Sequence, residues 1–431
     1  MTPERIELGS GVALNLLPCD TFKTNCLSVT FLCPMREDSA AENALLPFVL
    51  KRGTERLPTM TALTRELEML YGSHVSARVG KVGDTQFFGF HSSPLREEFA
   101  EGTDVTAKIL ALMGEMIYHP YREDGLLSSS YTEGEKQVMI DAVRSRINNK
   151  GHYALLRCRE EMCRNDASAL PETGTEEQIA AISAETLTAR LDRVRTTYRL
   201  EIWCVGVFDR EALTEQVRSI FLCHERQPMS LPSHRPFVPA EPSRRVTEKL
   251  PVKQGKLCLG FGTPIRTGHP MAPAYTLLLE VLSGSPTAKL FVNVREKESL
   301  CYYCSGIPEM QKGILILSSG IEVADRERAE AAILREVAAC CRGEISHEEM
   351  TAAKKAIETS VRAMYDEPSA LISWYFKRGL IGLTESPLDY WEKIAAVTVD
   401  DLAKAAKTLS LDTVYFLEGT LSGEEDDDTD A

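Results

Sequence analysis

The chain has 431 residues, 43% hydrophobic and 26% charged, with 49 Lys and Arg set against 63 Asp and Glu for a formal charge of −14. That length and mixture describe a folded protein of two or three domains and exclude extended disorder. Six of the acids fall in the last eight residues, so the body of the chain stays acidic at about −8. A body of that sign does not suit phosphate backbones or anionic headgroups, and nucleic acid and membrane surfaces are set aside as partners.

At the N-terminus, MTPERIELGSG carries acids where a signal peptide needs a basic segment and an apolar run, and no stretch approaches the length of a membrane span. A cytoplasmic protein is expected, with its 12 cysteines reduced. Cys301-Tyr302-Tyr303-Cys304 forms one CxxC. Without a second pair it is a weak signal for zinc or redox chemistry and reads first as an incidental pair.

Taken in order, Cys26 to Cys33 is an apolar, β-branched run ending at Pro34, which predicts a buried strand. An apolar helical stretch follows at Ala41 to Lys51, then a helix at Thr61 to Tyr71 and a further strand. Glu133 to Asn148 reads as a long amphipathic helix, and Ser183 as the N-cap of a short helix leading to a strand at Leu200 to Val205. Prolines at 228, 232, 236, 239 and 242 then mark an extended linker. Beyond it the same order returns: a strand at Lys256 to Gly262, helices at Ala272 to Leu282 and Thr287 to Lys297, a long helix at His347 to Met364, and Thr398 capping a helix before a strand at Thr413 to Leu417. Five element pairs in one order predict two homologous α+β domains, 1–225 and 246–421, joined by a Pro-rich linker at 226–245. The acidic end, 422–431, has nothing apolar to bury and is expected to be disordered.

The stretch Ala44-Leu-Leu-Pro-Phe-Val-Leu-Lys-Arg-Gly-Thr54 resembles the active-site helix of the M16 peptidases, the insulinase, pitrilysin and mitochondrial processing peptidase family. In active members that segment carries H-x-x-E-H ahead of an apolar pair and Gly-Thr. The similarity is anchored on Gly53-Thr54 and on the following helix, Leu63 to Tyr71 with Gly72, and it extends from about Ile6 to Gly419. In the family register the first His falls on Ala44, the Glu on Pro47 and the second His on Phe48; the third ligand, in a segment resembling E-x-x-V-x-x-x-E, falls on Ala142 of Glu135 to Ala142. Two imidazoles one turn apart hold zinc and the Glu activates its water, which methyl, pyrrolidine and phenyl groups cannot do. Asp141, next to Ala142, points about 100° away around the helix. Nor do the eight histidines include a pair at metal-ligand spacing, and no G-x-S-x-G or phosphate loop occurs. The resemblance thus implies a chain with no catalytic residue and no metal of its own, zinc being expected only in a partner subunit.

A second motif is retained. Leu290-Phe-Val-Asn-Val-Arg295-Glu-Lys-Glu-Ser-Leu300-Cys-Tyr302 is similar to the family's C-terminal-domain signature, where an Arg and a Tyr seven residues apart reach the substrate backbone and the Tyr steadies the tetrahedral intermediate. On residue types alone, Arg295 equally suits the end of a helix, against its dipole, and Tyr302 a place in a strand. The family match implies substrate binding by Arg295 and Tyr302. It further implies two tandem M16-type (LuxS/MPP-like) domains, each a mainly antiparallel sheet with helices on one face. The partner it implies is a zinc-bearing M16 paralogue in a heterodimer acting on a peptide or small protein. Segment 295–305 resembles a bacterial subfamily without the zinc motif, described as associated with 5-aminopentanol modification of elongation factor P. A non-proteolytic scaffold in such a pathway is the alternative, and a zinc peptidase with unusual ligands the third reading.

Overall fold

The computed structural model describes residues 1–420 apart from Asn165, His224 and His234, so the expected disordered tail at 422–431 lies outside the described residues. Two units emerge: the first is built from Met1–Arg144, Leu170–Ser233 and Tyr365–Ser386, the second from Ser145–Ala169, His234–Met364 and the chain from Pro387 onward.

In the first unit, strands β1 (Glu4–Gly9), β2 (Val12–Pro18), β3 (Cys26–Pro34), β4 (Ser76–Val82) and β5 (Thr85–Ser92) precede a two-stranded ribbon, β6 (Arg122–Glu123) and β7 (Leu126–Leu127), and then β8 (Arg199–Gly206). The main sheet runs β1-β2-β8-β3-β5-β4, antiparallel except where β2 meets β8. The apolar run at Cys26 becomes the inner strand β3, with Val29 opposite both Phe90 and Ile202. Helices α1 (Ala40–Leu50), α2 (Met60–Met69), α3 (Val105–Tyr118) and α4 (Ser129–Ser145) come before the next helix of the chain, α5 (Lys150–Met162), which belongs to the second unit. After it α6 (Glu176–Ala180), α7 (Ala184–Thr197) and α8 (Arg210–Phe221) return to the first. Ser183 caps α7 in a reciprocal capping box with Thr186. Leu45 and Val49 of α1, Ile109 and Met113 of α3, and Leu187 and Leu191 of α7 bury against Phe31, Phe88 and Ile202 in one core. Each such side chain contributes about 1.5–3 kcal/mol by leaving water.

The second unit repeats this plan with β9 (Arg244–Leu250), β10 (Gly255–Gly262), β11 (Tyr303–Glu309), β12 (Ile314–Ile321) and β13 (Ser410–Gly419), ordered β11-β12-β10-β13-β9 with only β13 and β9 parallel. Taken from its other edge this is β9-β13-β10-β12-β11, element for element the β2-β8-β3-β5-β4 of the first unit. Its helices are α9 (Ala272–Leu279), which widens into a π-type turn at Glu280–Gly284, a second π-type segment at Leu290–Lys297, α10 (Arg326–Arg342) and α11 (His347–Ala363). Then come α12 (Pro368–Gly379), which belongs to the first unit, α13 (Pro387–Ala395) and α14 (Val399–Ala406). Thr398 caps α14 in a capping box with Asp401.

Each unit therefore borrows one helix from the other half of the sequence, and the two borrowed helices hold the same place in the repeat, directly after the long helices α4 and α11. In the second unit Ala154, Cys158 and Met162 of α5 pack on Cys258, Ile316, Tyr415 and Leu417. The fit is close: a Cβ on Gly260 would lie 2.2 Å from Met162 Sδ. Leu257, Leu259 and Phe261 are as deeply buried, on the opposite face by the alternation of a strand. In the first unit Phe376 of α12 meets Phe87 of β5 edge to face at 5.4 Å. Boundaries drawn at 1–225 and 246–421 treat each half as contiguous; the units do not divide there, because the apolar stripe of a helix does not specify which sheet buries it. The Pro-rich stretch is tied down where it leaves the first unit, Gln227 N donating to Thr196 O at 2.8 Å and Met229 N to Thr197 O at 2.8 Å, and its C-terminal end already forms β9.

Candidate functional site

The residues matched to the zinc motif lie on α1. Ala44 is fully buried and Pro47 is buried, while Phe48 is partly buried against the core of the first unit. Pro47 is the eighth residue of α1, well past the first turn, and removes one N–H from the helix ladder. The helix nevertheless continues: Lys51 N donates to Pro47 O at 3.2 Å and Arg52 N to Val49 O at 3.0 Å. What fixes α1 is its neighbour Asn43, fully buried, whose Nδ2 donates to Gln86 Oε1 at 2.9 Å while its Oδ1 accepts from the Tyr198 hydroxyl at 3.2 Å. Gln86 in turn donates to Ala40 O at 3.0 Å. Beneath this network the Cys33 thiol is pushed up to about 12 by burial.

On α4, Ala142 is exposed, whereas Glu135, one end of the matched segment, is almost entirely buried and forms an ion pair with Arg52 just beyond α1. The two elements that would share a metal are thus linked by a guanidinium and a carboxylate. A zinc ion asks for imidazole, thiolate or carboxylate donors, and a methyl, a pyrrolidine, a phenyl and a second methyl stand at the four matched positions, so the residues do not fit the metal. Among the described residues no group of three or more His, Cys, Asp or Glu side chains is arranged to hold a metal ion. The Gly53-Thr54 anchor has a local cause: a Cβ at Gly53 would meet Pro58 O at 2.8 Å, and Thr54 closes the turn through Thr54 N to Leu57 O at 2.9 Å and Leu57 N to Thr54 Oγ1 at 3.0 Å.

The Arg and Tyr lie in the second unit. The segment Leu290–Lys297 is anchored by buried Leu290 and Val294, and Asn293 Nδ2 donates to Glu336 at 2.8 Å. Arg295 is exposed, its guanidinium 4.4 Å from the centre of the Phe291 ring. The chain turns at Ser299, whose φ of 53° is left-handed, and buries Leu300 before reaching Tyr302. Tyr302 does not fill a strand: it is 52% exposed, it precedes β11, and it is Tyr303 that starts the strand and lies half-buried under Lys256. Tyr302 N donates to Gly320 O at 2.8 Å and its hydroxyl donates to the Glu322 carboxylate. That hydrogen bond and the Glu322 charge hold the phenol above its ordinary pKa, so it stays a proton donor. On either side of it Cys301 and Cys304 are buried.

For four residues the sequence carried no signal of the partner each one meets. Arg52 and Glu135 are 83 residues apart, and neither belongs to a motif read for charge pairing. Glu322 meets Tyr302 because β11 and β12 pair with Tyr303 opposite Gly320, which brings 302 and 322 to the open end of that ladder. Asn43 reads as one polar residue in an apolar helix until Gln86 and Tyr198 arrive beside it. No helix among the described residues is long and apolar enough to cross a membrane.

Residues 181–357 match the family model described as the Peptidase M16 inactive domain. A Bacillus subtilis (strain 168) protein named "Probable inactive metalloprotease YmfF" is 30% identical over 411 residues, which cover 95% of this chain and 96% of that one. A second protein of the same strain, "Uncharacterized zinc protease YmxG", is 24% identical over 325 residues, 75% of each chain. Of the solved structures, a conserved protein from Enterococcus faecalis V583 has the same fold, with a TM-score of 0.91 at 23% identity over 98% of this chain and 100% of the other.

Proposed function

The chain belongs to the M16 peptidase family, as a homologue of an inactive member, and we propose that it is the non-zinc subunit of a heterodimeric peptidase, binding peptide and supplying Arg295 and Tyr302 to the active site of a zinc-bearing paralogue. The observation that carries this reading is a contrast within one molecule: apolar groups fill the matched metal positions of α1, while Arg295 and Tyr302 stay exposed beside an edge strand. An exposed guanidinium can grip a peptide carbonyl or carboxylate, and a phenol kept protonated can donate to a developing oxyanion. Because β11 is an edge and begins one residue after Tyr302, an extended peptide added to that edge would run past both side chains. The zinc, on this reading, belongs to the partner. Bacillus subtilis carries one relative named as inactive and one named as a zinc protease, which is the combination such a pair requires.

The experiment is to mix the purified chain with a zinc-bearing M16 paralogue from the same organism and follow hydrolysis of an unstructured peptide. The mixture should outperform the paralogue alone, and Arg295→Ala and Tyr302→Ala should each remove most of the gain. Unchanged turnover in both variants sinks the shared-site reading. A second reading, a non-proteolytic peptide-binding scaffold attached to a protein-modification pathway such as that of elongation factor P, is favoured by one observation: the Tyr302 hydroxyl is already committed to Glu322. A scaffold would bind the peptide in the same mixture without raising turnover.

A further inference from the structure

The residue that follows Tyr302 is held more closely than Tyr302 itself. Tyr303 opens β11 opposite Gly320 of β12, Gly320 lies opposite Lys256 of β10, and Lys256 lies opposite Leu417 of β13, which packs with α5. Directly opposed residues share a sheet face, so the Tyr303 ring is on the side that α5 covers. There it occupies a slot walled by glycine. A Cβ on Gly320 would come within 2.6 Å of Tyr303 Cε1, and a Cβ on Gly151, in the first turn of α5, would lie 3.0 Å from the Tyr303 hydroxyl oxygen. The Lys256 ammonium stands 5.8 Å from the ring centre, and Ser318 Oγ is 3.5 Å from the hydroxyl. Two glycines from distant parts of the chain thus leave room for one phenol ring, and a side chain at either would press on it.

The α5 wall of this slot is itself fastened. The Tyr153 hydroxyl of α5 donates to Glu248 of β9 at 2.7 Å and Arg157 Nε to the same carboxylate at 3.3 Å. Arg159 pairs with Glu309, the last residue of β11, at 2.5 Å, so α5 meets both ends of that strand. One peptide bond separates Tyr303 from Tyr302, and a strand sends successive side chains apart, so the seat of Tyr303 sets where Tyr302 leaves the sheet. Tyr302 N donates to Gly320 O at 2.8 Å, and Gly320 is the residue that floors the slot.

We propose that Tyr303, seated between Gly151 and Gly320, is a positioning residue that fixes the backbone from which Tyr302 reaches a bound peptide, with α5 as the element that keeps it seated. The inference rests on the substrate-facing reading of Tyr302 given above. The two adjacent tyrosines have different roles: Tyr302 touches the peptide, and Tyr303 acts through it.

The test uses the full chain and follows the Tyr302 phenol by NMR titration of tyrosine-labelled protein, its signal assigned with Tyr302→Phe. Glu322→Gln gives the fall in midpoint that accompanies loss of the Glu322 contact. Gly151→Val should press on the Tyr303 hydroxyl and lower the Tyr302 midpoint toward the Glu322→Gln value. Adding Tyr303→Phe removes the crowded oxygen, leaves the next ring atom 3.8 Å from the Cβ at 151, and should restore most of the shift. In the mixture with the zinc-bearing paralogue, Gly151→Val should lower kcat by about tenfold with KM little changed, and Tyr303→Phe should rescue it. Tyr303→Leu, which takes the ring out of the slot without altering α5, should lower the midpoint as well and serves where Gly151→Val does not fold. An unchanged Tyr302 midpoint in either folded variant overturns the proposal. If the midpoint moves as expected while Tyr302→Ala leaves turnover intact, the positioning holds and the shared-site reading is what fails.

Discussion

Helix α1 and the segment from Leu290 to Tyr302 are the two stretches that carry family motifs, and burial treats them in opposite ways. On α1 the positions that would face a metal are occupied by side chains that the core accepts, Ala44 at zero exposure and Phe48 against its margin. In the other segment the small and branched residues, Leu290, Val294 and Leu300, are the buried ones, and the long polar ones project. A helix with its ligands removed can be sealed by packing, since methyl and phenyl groups lose nothing by leaving water. A guanidinium and a phenol would each need a buried partner to be treated so, and remaining exposed keeps them available to a ligand.

The strongest way to break that contrast is to put a ligand back. Ala44→His forces an imidazole into a fully buried site and should cost about 2–5 kcal/mol through overpacking and an unpaired polar group. Added zinc should recover none of the loss in a urea titration. A smaller effect comes from His91 on β5, buried against Cys26, which burial pushes down to about 4. The unfolded chain takes up that proton near pH 6.5 and the folded one only near 4. The contribution of His91 is therefore complete above about pH 6.5 and is lost as pH falls toward 4, at most about 3 kcal/mol. Urea midpoints between pH 7 and 4.5 should fall more steeply for the native sequence than for His91→Gln. Next, Arg52→Ala leaves Glu135 buried without its guanidinium and should cost about 1–2 kcal/mol; a double-mutant cycle with Glu135→Gln should recover part of this as coupling. Least of all, Arg295→Ala and Tyr302→Ala should each change stability by no more than about 0.5 kcal/mol in the same titration. A loss above about 1 kcal/mol in either would show that its role is structural.

Much of the architecture was readable in one dimension. The strand at Cys26, the long helices ending near 145 and 363, and the capping residues Ser183 and Thr398 follow from apolar period and hydroxyl placement, both local properties. So was the repeat, because two halves with one element order fold to one strand order. The helix exchange was not readable: an apolar helix stripe does not say which sheet buries it, and the packing of Ala154, Cys158 and Met162 in the second unit and of Phe376 on Phe87 in the first shows which one does. At the candidate site the substitutions at 44, 47, 48 and 142 needed no coordinates, since a side chain without a donor atom has none in any fold. The pairings that surround them did.

By itself, then, the sequence determined two α+β repeats, an α1 without donors at its matched zinc positions and an Arg and a Tyr seven residues apart, all of which depend on residue identity and short-range spacing. Tertiary structure alone decided that Arg52 pairs with Glu135, that Tyr302 is held by Glu322, and that each unit is completed by a helix from the other half. Those outcomes join residues distant in the chain, and they are fixed by strand register and side-chain packing, which local sequence does not encode.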